Sequence, residues 1–507
     1  MSLLAQLTRH KSVEALQAEA QTRGDFRRVL GVWQLTAIGV GAIIGVGIFV
    51  LAGQQAATNA GPAVILSFIV AGIGSACAAL AYAEFSGMIP VTGSAYTYGY
   101  AVLGELLAWI IGWDLLLEYA LIVAVVAIGW SGYVQALVAQ LTGAHLPLWL
   151  QGAYDPGNPQ SGKVFNVIAA GISLLIAWML TVKTEWGARA NTVIVAIKVI
   201  GVALVIIAGA FYVNPANWHP FIPPVVTDNG AAHFGWGGVL AASSIVFFAC
   251  FGYDTLTTAA EEARNPQRDL PRAVLLSLAL SMALYLAVSL VLTGMVPYRL
   301  LNSPAPVDAA FAALHLDWVR GAINVAAVAG LTSVLFGFML GAARIWFALS
   351  RDGLLPKWFS RVHPRYGTPA RPTVILGVFT AIVAGFLPIG EVAELVNIGT
   401  LSAFIVICLA VLVLRVRRPD LQRSFRTPAI WLIAPLGVLF SLFLIIGWPW
   451  AAQGGGVTLI GGLPSITIWR FVIWMAIGLV IYFAYGIRHS RLAREQERQA
   501  QARITNN

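Results

Sequence analysis

The residues that could do chemistry in this chain stand where polar groups are rare. Lys198 is alone in NTVIVAIKVIGVALVIIAG (191–209). Asp114 and Glu118 share one face of a helix in GWDLLLEYAL (112–121). Gly39, Gly41, Gly45 and Gly47 crowd LTAIGVGAIIGVGIFVLAG (35–53). Gly252 and Asp254 follow a run of small residues in GWGGVLAASSIVFFACFGYDTLTTAAEEARNPQRDLP (235–271). Ionisable residues inside apolar stretches are read as functional by default. An ammonium taken out of water is disfavoured in its charged form, which suits Lys198 to proton exchange. Structural pairing with backbone carbonyls is the other reading.

The carboxyl groups divide similarly. Glu118 is either a structural carboxyl tying its helix to neighbours or a gating or coupling group facing a pocket. Asp254 either accepts N–H bonds from irregular backbone or meets a substrate ammonium. Glu84 precedes Pro90 and Gly93, where gating at the inner face and plain solvation are both open. The histidines are scattered, with no H-E-x-x-H and no nucleophile–base pattern. An intramembrane enzyme is therefore set aside.

The glycine-rich segment is not a G-x-G-x-x-G fingerprint and has no strand–helix alternation around it. Gly41-Ala-Ile-Ile-Gly45 fits a helix-packing G-x-x-x-G. It equally fits a discontinuous helix, whose freed N–H groups can hold a carboxylate and whose freed carbonyls can hold an ammonium. An α-amino acid carries both groups. Irregular backbone at membrane depth is allowed only where it lines a cavity.

The elements that must position these groups are membrane spans. The 507 residues are 59% hydrophobic and only 10% charged, and the mean hydropathy is +0.79. Soluble domains average about 25% charged residues, so lipid must cover this chain. A span needs about 20 apolar residues. Spans are expected near 33–51, 62–88, 103–139, 164–182, 190–211, 236–258, 273–296, 319–349, 374–388, 394–414, 428–449 and 469–487. Spans 3 and 8 exceed one bilayer crossing and should tilt or protrude. Cys77, Cys250 and Cys408 all sit in apolar stretches and imply no disulfide framework.

An even number of spans puts both ends on one side. Among the 31 Lys and Arg, Lys163, Arg299, Arg320 and Arg470 fall on the other side. Lys198 and Arg344 lie within spans, and all the rest share the side of the termini. The positive-inside rule then places both termini in the cytoplasm. The net charge of +9 is thus a topology signal, not a nucleic-acid footprint. The first 32 residues lack a cleavable signal pattern, and Leu3, Leu4, Leu7, Val13 and Leu16 suit an amphipathic surface helix, with a disordered segment as the other reading.

The chain resembles the amino acid–polyamine–organocation transporters, within them the bacterial type of the cationic amino acid transporter branch. The resemblance is carried by GAIIGVGIF (41–49), AEFSGMIPVTGSAYTY (83–98), GWDLLLEYAL (112–121) and VAIGWSGY (126–133). FFACFGYDTLTTAAEEARNPQRDLP (247–271) and RIWFALSRDGLLP (344–356) complete it. It implies an all-α membrane protein with a 5+5 inverted repeat, discontinuous helices 1 and 6, and two accessory helices. The expected division is a cytoplasmic segment 1–32, a transport core 33–414 with repeats 33–213 and 234–414, accessory spans 415–487, and a basic tail 488–507.

The same resemblance implies that a substrate carboxylate meets the backbone amides of Gly45, Val46 and Gly47. The ammonium meets carbonyls of Ile43, Phe248, Ala249 and Phe251. Val46 stands where relatives often carry a hydroxyl, and Cys250 is smaller than the usual residue. Phe338 and Met339 fall where relatives limit substrate size, with ordinary packing as the alternative. Lys198 stands where related folds hold a sodium ion. The implied function is a proton-coupled symporter importing small or medium neutral amino acids, powered by the proton gradient with no cofactor. An amino-acid or polyamine exchanger, cationic amino acid uptake and a transporter-like sensor are the alternatives. Amino acid, protons and the lipid bilayer of a plasma or inner membrane are the expected partners. A small accessory membrane subunit is compatible with the sequence.

Overall fold

The computed structural model describes residues 9–10, 30–89, 94–155, 159–182, 188–228, 231–451, 457–460 and 462–494. The spans are α1 (Val32–Ile43), α3 (Val64–Met88), α5 (Glu105–Thr142), α6 (Val167–Val182) and α7 (Ala188–Ala210). They continue with α8 (Gly235–Val246), α9 (Pro266–Met295), α11 (Asp317–Arg351), α12 (Ala370–Phe386) and α13 (Ile389–Arg417). The last two are α14 (Ile430–Ile446) and α15 (Ser465–Ile481). Short helices intervene: α2 (Ala52–Gln55), α4 (Ser94–Val102) and α10 (Pro306–Ala313). Two antiparallel hairpins pair Val226–Asp228 with Ala231–His233 and Trp448–Ala451 with Val457–Ile460.

Spans 1 and 6 are not continuous. α1 ends at Ile43, and Ile44 is extended (φ −72°, ψ 104°). The chain resumes as a wide π-helical turn over Gly47–Leu51, then α2, then a second wide turn over Ala56–Ala60. Gly61, at φ 62°, separates this from the second span. In span 6, α8 gives way to a tight 3-10 turn over Phe247–Cys250. Phe251 is extended and Gly252 takes φ 120°. A longer 3-10 run, Tyr253–Glu262, follows.

The two five-span halves pack by a common rule, in which span n exchanges with span n + 5. α1 packs on α9 as α8 packs on α3, and α5 packs on α13 as α11 packs on α7. The pairs α3–α9, α5–α11 and α6–α12 join equivalent spans across the halves. Five crossings per half is an odd number, so the halves run in opposite directions through the bilayer. α14 leans on α13 and α3, and α15 on α13 and α5, outside this pattern. Enclosure agrees: 94% of the most apolar stretch of α5 is buried, against 17% for the segment Ser465–Arg494.

α5 has 38 residues and α11 has 35. At 1.5 Å per residue each is over about 50 Å long, well beyond a hydrocarbon core of about 30 Å. α5 stops at Gly143, whose φ of 68° is the left-handed cap position. Several helices begin earlier than hydropathy indicates. α9 starts at Pro266, not near 273, because a proline at the first helical position needs no N–H partner and the polar first turns lie outside the apolar stretch. α4 and α10 are too short and mixed in character to register as spans. The expected amphipathic N-terminal helix and most of the basic tail fall outside the described residues.

Candidate transport site

The two breaks cross each other. A Cβ built on Gly252 would lie 3.2 Å from both the Ala42 carbonyl carbon and the Ile43 nitrogen. One built on Gly47 would lie 2.4 Å from the Ala249 Cβ. Only glycine permits either approach, and at Gly252 the positive φ demands it as well. Gly45 differs, because a Cβ there would meet Val334 no closer than 3.7 Å. There is thus room at Gly45 for about one methyl group, in ordinary contact with Val334. The amides of Gly45, Val46 and Gly47 open the second half of span 1, where no preceding turn accepts from them.

Lys198 reaches this break from α7. It is fully buried, and its Nζ donates to the carbonyls of Gly41 at 2.6 Å and Ile44 at 2.8 Å. Those carbonyls close the C-terminal end of α1, where the helix dipole concentrates negative charge. The ammonium thus caps a helix that stops in mid-membrane.

Tyrosines, a serine and an asparagine satisfy the remaining irregular backbone. Tyr285 Oη on α9 donates to the Ile43 carbonyl at 2.7 Å, and Tyr133 Oη on α5 donates to that of Phe49 at 2.6 Å. In span 6, Ser75 Oγ donates to the Cys250 carbonyl, and Tyr253 Oη donates to that of Ser75 at 3.2 Å. Asn397 Nδ2 on α13 donates to Ser244 and Ile245 at 2.8 and 3.0 Å. These partners were not singled out from the sequence. Lone polar residues inside apolar spans were their available signal.

Side chains around the crossing are mostly apolar. Val46 packs into the space left by Gly129 of α5, where a Cβ would come within 2.3 Å of its Cγ2. The Val46 side chain is therefore directed at α5. Phe251 meets Phe248 and Phe338 edge-on, with centroids 6.1 and 6.5 Å apart. Phe338 in turn meets Tyr119 at 5.2 Å. Met339 is fully buried on the same helix. Tyr119 Oη donates to Asp254 just beyond the span 6 break. Asp114 and Glu118 are buried beside Gly399 of α13, where a Cβ would sit 2.8 Å from Asp114 Oδ1.

Glu84 lies apart from this group. It is buried, not solvated. Arg415 grips it with Nε and Nη2 at 2.8 and 2.7 Å, while Arg423 Nε and the Thr427 amide donate at 3.1 and 2.9 Å. It ties α3 to the end of α13 and to the segment that follows it. Beyond the break, α10 covers the second half of span 1. A Cβ on Gly53 would strike Pro306. Arg320 holds Asp308 of α10 through two bonds of 2.6 and 3.0 Å, and Asn324 adds a third at 2.6 Å.

A broken-helix crossing with a lysine at its edge invites comparison with known transporters. The amino acid permease family profile matches residues 30–483. The chain belongs to the amino acid permease family. It is 43% identical to the branched-chain amino acid permease BcaP of Bacillus subtilis, over 96% of this chain and 98% of the relative. It is 44% identical to the methylthioribose transporter of the same organism, over 96% of this chain and the whole of the relative. Cationic amino acid transporter 2, vacuolar, of Arabidopsis thaliana is 38% identical over 82% of this chain and 64% of the relative. All three are transporters rather than enzymes, and this permease is a multi-pass membrane protein of the same kind.

Proposed function

We propose that this permease is a proton-coupled symporter that imports neutral amino acids of small to medium size. The crossing of the span 1 and span 6 breaks is the site. The amides of Gly45, Val46 and Gly47 take the carboxylate, and carbonyls of Ile43, Phe248, Ala249 and Phe251 take the ammonium. Lys198 couples transport to protons. Its ammonium, held on two carbonyls of α1, is the observation that carries the reading. Losing or gaining one proton there changes the hold on the end of the helix that forms the site. All residues of both breaks are buried, so substrate enters only when the α10 side or the Tyr119–Asp254 side opens. That requirement is alternating access. Glu118, beside Asp254, acts in gating on the Tyr119 side. The halves 33–213 and 234–414 rock against each other, with both termini in the cytoplasm and the protein in the cell membrane.

A neutral substrate fits the apolar surroundings of the crossing, namely Val334, Phe251 and Phe338. The branched-chain substrate named for one relative agrees with it. Proteoliposomes with an inward proton gradient should accumulate labelled L-leucine or L-alanine. No accumulation of any of the twenty amino acids would overturn the proposal. Uptake stimulated equally by internal amino acid without a gradient would instead indicate an exchanger. The similarity to a methylthioribose transporter over its full length favours a second reading. Methylthioribose has neither carboxylate nor ammonium, so its competition against labelled leucine in the same vesicles separates the two.

A further inference from the structure

We infer that Gly330 of α11 is a positioning residue that aims Lys198, and through it sets the coupling of this permease. The inference rests on the reading of Lys198 given above. A Cβ on Gly330 would stand 2.9 Å from Lys198 Cγ, 3.0 Å from its Cε and 3.2 Å from its Cβ. The lysine stem therefore lies along a groove that exists only because residue 330 has no side chain. The groove points the stem from α7 toward α1, where Nζ makes both of its bonds.

Helix α7 packs tightly on either side of the lysine. A Cβ on Gly41 of α1 would lie 2.7 Å from Val195 of α7. A Cβ on Gly201 of α7 would lie 2.4 Å from that of Ala326 of α11. Helix α7 is thus clasped close against both neighbours, above and below the lysine. Parting the helices would open both of these contacts, whereas the stem moves by rotation about its own bonds, so a methyl group at 330 falls on the stem, near its root as well as near its tip. The tip carries the ammonium, so the displacement falls on the bonds to Gly41 and Ile44.

Gly337, two turns further along α11, supplies the control. A Cβ there meets nothing within 4 Å. Gly330→Ala and Gly337→Ala make the same change in helix propensity, and only the first meets Lys198. The readout is the ratio of proton-driven L-leucine accumulation to L-leucine counterflow without a gradient, in proteoliposomes. General loss of packing lowers both and leaves the ratio unchanged. Gly330→Ala should lower the ratio about tenfold, as expected for weakening one charge-assisted hydrogen bond. Gly337→Ala should leave it at the wild-type value.

In a Lys198→Ala background, where Cγ and Cε are gone and only the 3.2 Å approach to Cβ remains, Gly330→Ala should change counterflow and the thermal unfolding midpoint no more than Gly337→Ala does in that background. A Gly330→Ala ratio equal to that of Gly337→Ala would overturn the inference. So would an equal effect of Gly330→Ala with and without the lysine. If Gly330→Ala alone fails to fold, recovery of the Lys198→Ala, Gly330→Ala double variant supports the inference, and loss of both overturns it. Lys198→Ala with wild-type accumulation would instead refute the coupling role of Lys198. The background dependence of the unfolding midpoint would still report on the groove.

Discussion

Replacing Lys198 by methionine removes the ammonium while keeping most of the stem. Two bonds of 2.6 and 2.8 Å are lost together. A hydrogen bond to a charged group contributes about 1.5–3 kcal/mol net, so about 3–6 kcal/mol is withdrawn from the end of α1. At about 1.4 kcal/mol per tenfold change, the present arrangement of the break loses a factor of about 10² to 10⁴ relative to alternatives. The affected carbonyls flank Ile43 and adjoin Gly45, so the loss falls on the proposed substrate backbone. The variant should fold, since methionine keeps the stem's packing and removes a buried charge together with its desolvation cost. It should fail to concentrate L-leucine against a gradient in proteoliposomes while still inserting as a monodisperse protein. Concentrative uptake that survives in Lys198→Met with an unchanged pH dependence would refute the reasoning.

Gly252→Ala places a Cβ at φ 120°, against the Ala42–Ile43 peptide. Left-handed strain of about 1–2 kcal/mol and the contact should together weaken leucine binding at least about tenfold, measurable by equilibrium binding in nanodiscs. Asn397→Leu removes the side-chain donor on α13 from the Ser244 and Ile245 carbonyls. The unfolding free energy should fall by about 2–4 kcal/mol, and a thermal midpoint equal to wild type would contradict the assignment. Glu84→Gln strips the counter-charge from Arg415 and Arg423. A destabilisation of about 3 kcal/mol is expected, with substrate affinity in the surviving folded fraction unaltered, because Glu84 lies away from the crossing.

The sequence by itself determined that lipid is the solvent for this chain, and it determined the number and order of the spans. Both follow from apolar stretches long enough to cross a bilayer, a property summed along the chain. The four glycines of span 1 left two readings open, a packing face and a break, because a glycine serves close approach and irregular backbone alike; the structure decided for the break. Lys198 was legible as one charge in an apolar run. Helix ends were read less well. The polar first turns of α9 lie outside the apolar stretch and carry no hydropathy signal.

Only the tertiary structure decided where each intramembrane group points. Nothing in the local sequence distinguishes Gly330, which makes room for a lysine, from Gly337, which faces open space. Nothing around Glu84 announces two arginines more than 300 residues later. Tyr285, Ser75 and Asn397 read as isolated polar residues, and their roles appear once the carbonyls of the two breaks are brought to them. Freed backbone groups need partners from other helices, and which helix supplies them depends on packing between distant segments, to which periodicity along one segment is blind.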